Sequence, residues 1–550
     1  MKEKTELINT ICNLLELEKE DIVIENPKDR SMGDYAIPCF TLAKKMRKSP
    51  NAIALEIEEK LDVDFIEKKE VVGGYLNIFI KREEIMKNVI SEIKEKKENY
   101  GQTKFGEGRT VVIDYSAPNI AKPFSVGHLR STVIGNALKK ICLKTGYEVT
   151  GINHLGDWGT QFGKLISAYK RWGDTELIKE NPIAELTKLY VRFHEEALEN
   201  EELDDEARMY FKKLEDGDEE CLELWKWFRE ESLKEFQKTY DLLGINDFDS
   251  YNGEAFYNDK MDPIIKELEE KNLLVDSEGA KVVLMDEFAP ALIQKKDGAT
   301  LYITRDLATA FYRKKTYDFY EALYVVGNEQ QLHFAQLKEV IRKMGYDFYK
   351  DMHHINFGMI LQGGKKMSTR KGKTVRLHDV LLEAIEKASL RTKTDEVSKQ
   401  VGIGAVIFND LKNYRTNDIE FDLDEILKFE GETGPYVQYT YARIQSLLEH
   451  NEENVVDYGN FEVNDLIWNL VFKLYNFSDI IEKAKKEYDP SVVAKYAISL
   501  AQDFSKFYAE ERILDEDKNL RQIKLNICES VGIVIKECLN LLGVEAPKKM

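Results

Sequence analysis

Two stretches of the chain hold residues whose types and spacing suit phosphate chemistry. Residues 363–376 (GGKKMSTRKGKTVR) carry Lys365, Lys366, Arg370, Lys371, Lys373 and Arg376 and no acid. Glycines at the head of such a loop let it move, so it can close over a triphosphate and stabilise the charge that grows on departing pyrophosphate. The bland reading of the same residues is a solvated basic loop or a localisation-type patch. Residues 117–132 (APNIAKPFSVGHLRST) form the second stretch. They lie where a strand turns into a helix, and a helix start points backbone N–H groups and the positive end of its dipole at whatever sits in the crevice. Gly127 lets a ligand approach the backbone closely. His128 can donate to a phosphate, and Lys122 brings a point charge on the approach loop. The bland reading here is a βα turn with an ordinary capping residue.

The surrounding pattern supplies elements to position these residues. Residues 110–119 (TVVIDYSAPN) are a β-branched run that breaks at Ala-Pro-Asn, a helix over HLRSTVIGNALKKICLKTG ends at Gly146, and EVTGINHLGDWG gives a second strand and a turn. Strand, loop, helix, strand is a βαβ unit, which predicts a Rossmann-type parallel sheet. An acidic helical insertion spans about residues 170–283. Strand-like pieces resume at 281–285, 299–304, 322–327 and 354–361 and are expected to complete the sheet. Residues 1–100 read as a small α+β unit. Its second helix opens with Ser49 as cap and Pro50 at the first position. Leu76, Ile78 and Ile80 alternate on one face of its last strand. The polar run 92–110 reads as a linker. After His378 the chain is almost all helical, which predicts a C-terminal α-helical bundle. The expected organisation is therefore multidomain α/β: residues 1–100, a catalytic domain over 101–378 and an all-α domain over 379–550.

Composition narrows the function classes. At roughly 150 residues per domain, 550 residues suit about three or four domains. No apolar run reaches the ~18–20 residues needed to span a bilayer, and the N-terminal residues lack the apolar block of a secretion signal, so no membrane partner is expected. Six scattered cysteines without a C-x-x-C pair argue against a zinc site and a disulfide framework, and favour the reducing cytoplasm. A net charge of -20 counts against a generic nucleic-acid binder. A local basic stripe can still work on an acidic body, whose overall repulsion disfavours non-specific RNA binding.

The two stretches stand in order on either side of the sheet, separated by the insertion. As a pair they resemble the "HIGH" and "KMSKS" signatures of class I aminoacyl-tRNA synthetases, here SVGH (Ser125–His128) and KMSTR (Lys366–Arg370). The segments SAPNIAKP, INHLGDWGTQFG, YITRD, NEQQLHFAQ, NFGMILQGGKKMSTRKG, YVQYTYARI and LLGVEAPKKM narrow the resemblance to the arginyl-tRNA synthetase family, over essentially the whole chain. Two positions depart from the signatures. Ser125 replaces the first histidine; serine still donates a hydrogen bond but carries no charge. Thr369 stands where the second signature has lysine, and in this family a lysine before the first signature, here Lys122, substitutes for it.

The resemblance implies ATP-dependent activation of L-arginine to arginyl-adenylate, then transfer to the 2′-OH of the terminal adenosine of tRNA(Arg), with tRNA also needed for the first step. It implies catalysis by Lys122, His128, Lys366, Ser368 and Arg370. ATP would be bound by Ser125, Gly127, His128, Lys366, Met367 and Ser368. Arginine would be held by Asp114, Ala117, Pro118, Asn119, His128, Tyr302, Asp306 and Gln330. A guanidinium is a planar cation with five donors, so Asp306, Tyr302 one helical turn before it, and Asp114 suit its recognition, with Asn119 and Gln330 at the amino-acid end. Mg²⁺ is expected with ATP rather than tightly held by the protein, with no resident metal site. The N-terminal domain would touch the outer corner of tRNA, and Tyr436, Tyr439 and Tyr441 of the helical domain would stack on anticodon bases. A monomer is expected.

Plainer readings stand beside these. Asp306 suits a helix cap, Tyr302 and the C-terminal tyrosines suit core positions, Asp157 suits a cap and Trp158 ordinary packing. A class I synthetase for glutamine or cysteine is the nearest alternative enzyme; YITRD and the absence of a zinc-type cysteine set oppose it. An RNA-binding regulator on an inactive scaffold is the alternative from another class. It draws on Ser125 and is opposed by Gly127, His128, Lys366, Met367 and Ser368.

Overall fold

The computed structural model describes all residues except 1, 28, 201, 297, 299, 368, 371, 372, 452–455 and 460, and at 2, 369, 370, 373 and 374 the backbone alone. The chain forms two compact units: residues 1–101, 443–480 and 499–537 in one, and 102–442, 481–498 and 538–550 in the other.

The larger unit is built on four parallel strands in the spatial order Met352–His354, Glu321–Tyr324, Thr110–Asp114 and Glu148–Ile152. Val111, Val112 and Ile113 are all buried, as expected of a parallel strand covered on both faces. From Thr110–Asp114 the chain crosses through the helix Leu129–Lys144 to Glu148–Ile152 on one side. Much later it returns as Glu321–Tyr324 on the other side. Such a reversal of strand order opens a crevice beyond the carboxyl ends of the strands. One face of the sheet shares a core with the helices Tyr302–Tyr317 and Gln331–Lys343, through Val112, Ala322 and Met352 against Leu307, Ala310, Val340 and Ile341.

Three of the expected strands take other forms. Ala280–Val283 pairs antiparallel with Leu274–Ser277 and Ala291–Gln294 in a separate sheet. Residues 302–304 open the helix Tyr302–Tyr317. Ile303, Leu307 and Ala310 recur at i, i+4 and i+7 there and are buried, and packing of that stripe outweighs the local β-preference of Ile303 and Thr304. Ile360–Gln362 lies outside the main sheet, antiparallel to Lys365–Lys366 and parallel to Ile419–Glu420. The insertion is helical as expected, with Pro182–Ala197, Glu202–Glu215 and Glu219–Leu243 its longest helices.

In the smaller unit Tyr35–Pro38, Tyr75–Ile80 and Ile66–Val72 form an antiparallel sheet. Leu76, Ile78 and Ile80 face inward at 0% exposure, which confirms the alternation. Ser49 caps the helix Pro50–Lys60 by accepting from Ala52 N–H. Residues 92–96 finish the helix Arg82–Lys96 instead of a linker, because Ile85, Val89 and Ile93 give it a buried stripe that its polar face disguises. Residues 1–101 share a core with the C-terminal part of this unit: Trp468 Nε1 donates to Asp34 Oδ1 at 2.6 Å, and Tyr100 Oη donates to the Leu474 carbonyl at 2.9 Å.

Candidate active site

At the carboxyl ends of the strands lies a cavity of about 560 Å³. One wall is the loop after Thr110–Asp114. Ser116, Ala117 and Ala121 there have φ of +76°, +48° and +58°, a region that costs side-chain-bearing residues energy and persists only when neighbours enforce it. The neighbours are specific. Ser116 N–H donates to Ser131 Oγ at 2.9 Å, and Ser116 Oγ bonds Thr132 Oγ1 at 2.9 Å and Tyr240 Oη at 2.7 Å. Ala121 N–H donates to Ser232 Oγ at 3.1 Å. Asn119 faces Gly156, where a Cβ would stand 2.2 Å from Asn119 Oδ1, so any larger residue would displace that side chain.

The opposite wall is a polar stripe on the helix Tyr302–Tyr317. Tyr302, Asp306, Thr309 and Arg313, at i, i+4, i+7 and i+11, all line the cavity. Asp306 stands in the second turn and the N-cap is Leu301, so Asp306 is not a cap. Its Oδ2 lies 2.6 Å from His333 Nε2. Arg313 is fully buried and forms an ion pair with Asp114 at 2.8 Å, while its Nη2 lies 3.4 Å from His154 Nδ1. Burial alone would pull the Arg313 pKa down, but the Asp114 carboxylate holds it above the ordinary value. Burial pushes the Glu254 carboxyl, another lining group, up to about 7 although Arg305 lies 3.6 Å away and works against the shift.

Gly127 and His128 bring the first signature to the cavity at the start of the helix Leu129–Lys144. His128 Nδ1 lies 3.2 Å from both the backbone nitrogen and Oγ of Ser125. Burial lowers the pKa of the ring, which keeps it neutral and able to donate to an anion through a nitrogen. A smaller cavity of about 70 Å³ shares Gly127, Glu329 and Phe357 with the first and adds Lys366 and Met367 from the basic stretch. The two signatures are also tied directly: Val126 N–H donates to the Val375 carbonyl at 3.1 Å, Leu377 N–H to the Phe124 carbonyl at 2.8 Å, and Ser125 pairs with Arg376. At the other end of the basic stretch, Gly363 and Gly364 turn with φ of +59° and +73°, and both N–H groups donate to the Glu420 carboxylate.

The structure thus brings Asp114, Ala117, Asn119, Gly127, His128, Tyr302, Asp306 and Gln330 to one cavity, and Lys366 and Met367 to its neighbour. Pro118, Ser125 and Lys122 line neither. The Pro118 carbonyl accepts from Gly156 N–H, Ser125 supports His128, and Lys122 is exposed. Ser368 lies outside the described residues, and Arg370 is described only as backbone, in a two-residue ladder with Lys373. Asp157 does not cap the helix Thr160–Trp172, whose N-cap is Gly159; it is buried, accepting from Arg229 Nε and from Ala255 N–H in the first turn of the short helix Glu254–Lys260. Trp158 packs against Phe211 and Trp225. Among the tyrosines expected to stack on bases, Tyr441 is buried and Tyr439 is 39% exposed. Sequence reasoning missed Arg313, His333 and Glu254. The first was within reach, since Arg313 continues the helical spacing of Tyr302, Asp306 and Thr309. Among the described residues no group of three or more His, Cys, Asp or Glu side chains is placed to hold a metal ion, and no helix is long and apolar enough to cross a membrane.

Comparison with known proteins places the whole chain. Residues 89–423 match the family described as tRNA synthetases class I (R), catalytic domain, residues 437–550 match the DALR anticodon binding domain, and residues 2–80 match the arginyl tRNA synthetase N terminal domain. The chain is 54% identical to an arginine–tRNA ligase of an Exiguobacterium species, covering 99% of this chain and 98% of that one. It is 55% identical to the arginine–tRNA ligase of Enterococcus faecalis, covering 98% and 97%. The Thermus thermophilus arginyl-tRNA synthetase has the same fold, with a TM-score of 0.85 at 24% identity and coverage of 99% and 100%. The Plasmodium falciparum enzyme of the same name gives a TM-score of 0.83 at 25% identity, covering 100% of this chain and 98% of that one. With three matching family models and near-complete coverage of relatives more than half identical, the chain belongs to the arginyl-tRNA synthetase family.

Proposed function

We infer that the chain is an arginine–tRNA ligase: it activates L-arginine with ATP and transfers it to tRNA. The observation that carries the amino-acid assignment is the stripe Tyr302–Asp306–Thr309, which presents a carboxylate and two hydroxyls to a cavity also lined by Asp114, which is paired with Arg313, and by Glu254 and Glu329. A guanidinium suits such a wall, because its planar fork can give two parallel hydrogen bonds to one carboxylate.

In this reading the arginine carboxylate attacks the α-phosphorus of ATP in line, and pyrophosphate leaves. No bond to the protein forms, so the chain contributes position and charge. Asn119 and Gln330 hold the amino-acid end. His128 donates to a phosphate oxygen, and Gly127 leaves the backbone open to it. Lys366, Ser368 and Arg370 meet the charge growing on pyrophosphate, with Lys122 approaching from the other side and Ser125 holding His128. The terminal 2′-OH of tRNA then attacks the adenylate carbonyl. Contact of residues 1–100 with the corner of tRNA and of residues 379–550 with the anticodon, Mg²⁺ travelling with the triphosphate, a monomeric state and a cytoplasmic location belong to the same proposal. Exposed Phe40 and Tyr75, edge to face at 5.3 Å, support an RNA-facing surface on the N-terminal domain.

ATP–pyrophosphate exchange with tRNA present, run separately with each amino acid, tests the reading. Exchange should depend on arginine; equal or greater exchange with lysine or glutamine would overturn the assignment.

A further inference from the structure

The Asp306–His333 contact has a consequence for how arginine is selected. A carboxylate has around four lone-pair sites, and a guanidinium fork takes two of them. His333 already occupies one, at Oδ2, from the first turn of the helix Gln331–Lys343, one turn beyond Gln330. Both side chains line the cavity and both are partly open to it, at 34% exposure for Asp306 and 24% for His333. The His333 ring lies edge-on to Phe334, at 5.9 Å between centroids.

We propose that His333 is a positioning residue for arginine selection: its ring holds the Asp306 carboxylate for the incoming guanidinium, and a second proton on that ring weakens arginine binding. The proposal rests on the arginine reading of the site. A neutral imidazole that donates from Nε2 fixes the Asp306 rotamer and leaves its negative charge intact. A second proton, at Nδ1, puts a positive charge within hydrogen-bond reach of the same carboxylate, cancels much of its field and repels the substrate cation.

Other charged and titratable groups face the same space and must be separated from His333. Asp114 and Arg313 neutralise one another, His154 is held neutral by burial, and Glu329 lines the wall towards the smaller cavity. His354 stacks on Phe334 at 4.5 Å, behind the His333 ring, and its pKa is also lowered by burial. Glu254 is the rival, since its carboxyl titrates near 7 and its protonation would also remove negative charge from the pocket.

The experiment is arginine-dependent ATP–pyrophosphate exchange with tRNA, from pH 8 to pH 5.5, on the parent chain, His333→Gln, His333→Ala and Glu254→Gln, with arginine and ATP varied independently. In the parent chain KM for arginine should rise in acid, approaching ~10-fold per pH unit for a single controlling proton, while KM for ATP and kcat move far less. Glutamine keeps an N–H donor but does not titrate, so His333→Gln should stay near the parent KM at pH 8 and lose the acid rise. His333→Ala removes a hydrogen bond to a charged group and should raise the arginine KM by ~10-fold at pH 8. Glu254→Gln should retain the parent slope. A full acid rise in His333→Gln, or its disappearance in Glu254→Gln alone, would overturn the proposal. So would an unchanged arginine KM in His333→Ala; if that variant does not fold, the His333→Gln profile still decides. Absence of arginine-dependent exchange in the parent chain would instead strike the arginine reading itself.

Discussion

The two signature segments are built in opposite ways. Residues 115–132 are enforced from several directions. Three side-chain-bearing residues sit at positive φ, Ser116 bonds to three partners, and Phe124 and Val126 are buried. Where residues 363–376 are described, they form two-residue ladders, Lys365 and Lys366 are exposed, and the glycine turn is anchored by Glu420. The difference separates two kinds of work. In the proposed reading the first segment, with Asn119 for the amino acid and Gly127 and His128 for a phosphate, is held in place by the fold, so damage there should appear in stability and in arginine kinetics. In the same reading the basic segment brings charges that gain value as the leaving group develops, so damage there should appear in turnover.

The sharpest break in this comparison is Lys366→Ala. An exposed lysine contributes little to the fold, so its loss should leave thermal stability unchanged while cutting adenylate formation by ~10²–10³-fold. Single-turnover rates together with the arginine KM check it; turnover within twofold of the parent would put the basic stretch outside the chemistry. Asp306→Asn comes next. It keeps the shape of the carboxylate but not its charge, so it should cost about 3 kcal/mol in kcat/KM for arginine, or ~10²-fold, and little in KM for ATP. That is the lower edge for an uncompensated cation, because Asp306 is about one-third exposed. A stable variant with near-parent arginine kinetics would remove Asp306 from guanidinium recognition. The smallest effect belongs to Tyr240→Phe. Its hydroxyl bonds both Ser116 Oγ and Asn153 Nδ2 in the core, and its removal leaves both buried groups short of a partner. Denaturant unfolding should show a loss of about 1–2 kcal/mol with a several-fold rise in the arginine KM. If stability falls while the arginine KM stays fixed, Tyr240 supports the fold without shaping the pocket, and the contrast between the two segments weakens.

How much of the site was legible in the chain depended on sequence distance. The βα turn carrying Gly127 and His128 could be read because its strand, loop and helix are contiguous and each has its own periodicity. The basic stretch could be read because like charges packed between glycines are a local property. The helix under Asp306 was readable from the same helical spacing that places Tyr302 one turn earlier, yet residues 299–304 read as a strand, since Thr300, Ile303 and Thr304 are β-branched and Tyr302 is aromatic.

The sequence by itself determined the class of fold, the order of the two signatures and the carboxylate at 306, because periodicity and composition act over a few turns. Tertiary structure decided who partners whom. Asp114 lines the cavity at the end of its strand and is also paired there with Arg313, from the helix Tyr302–Tyr317. Asp306 acquired His333 across 27 residues. The polar run at 92–96 became helix because a stripe of isoleucine and valine found a core to enter. Each outcome depends on burial, and burial is a property of the assembled chain: an ion pair or hydrogen bond is enforced only where water has been removed, and no local reading of residue types shows where that happens.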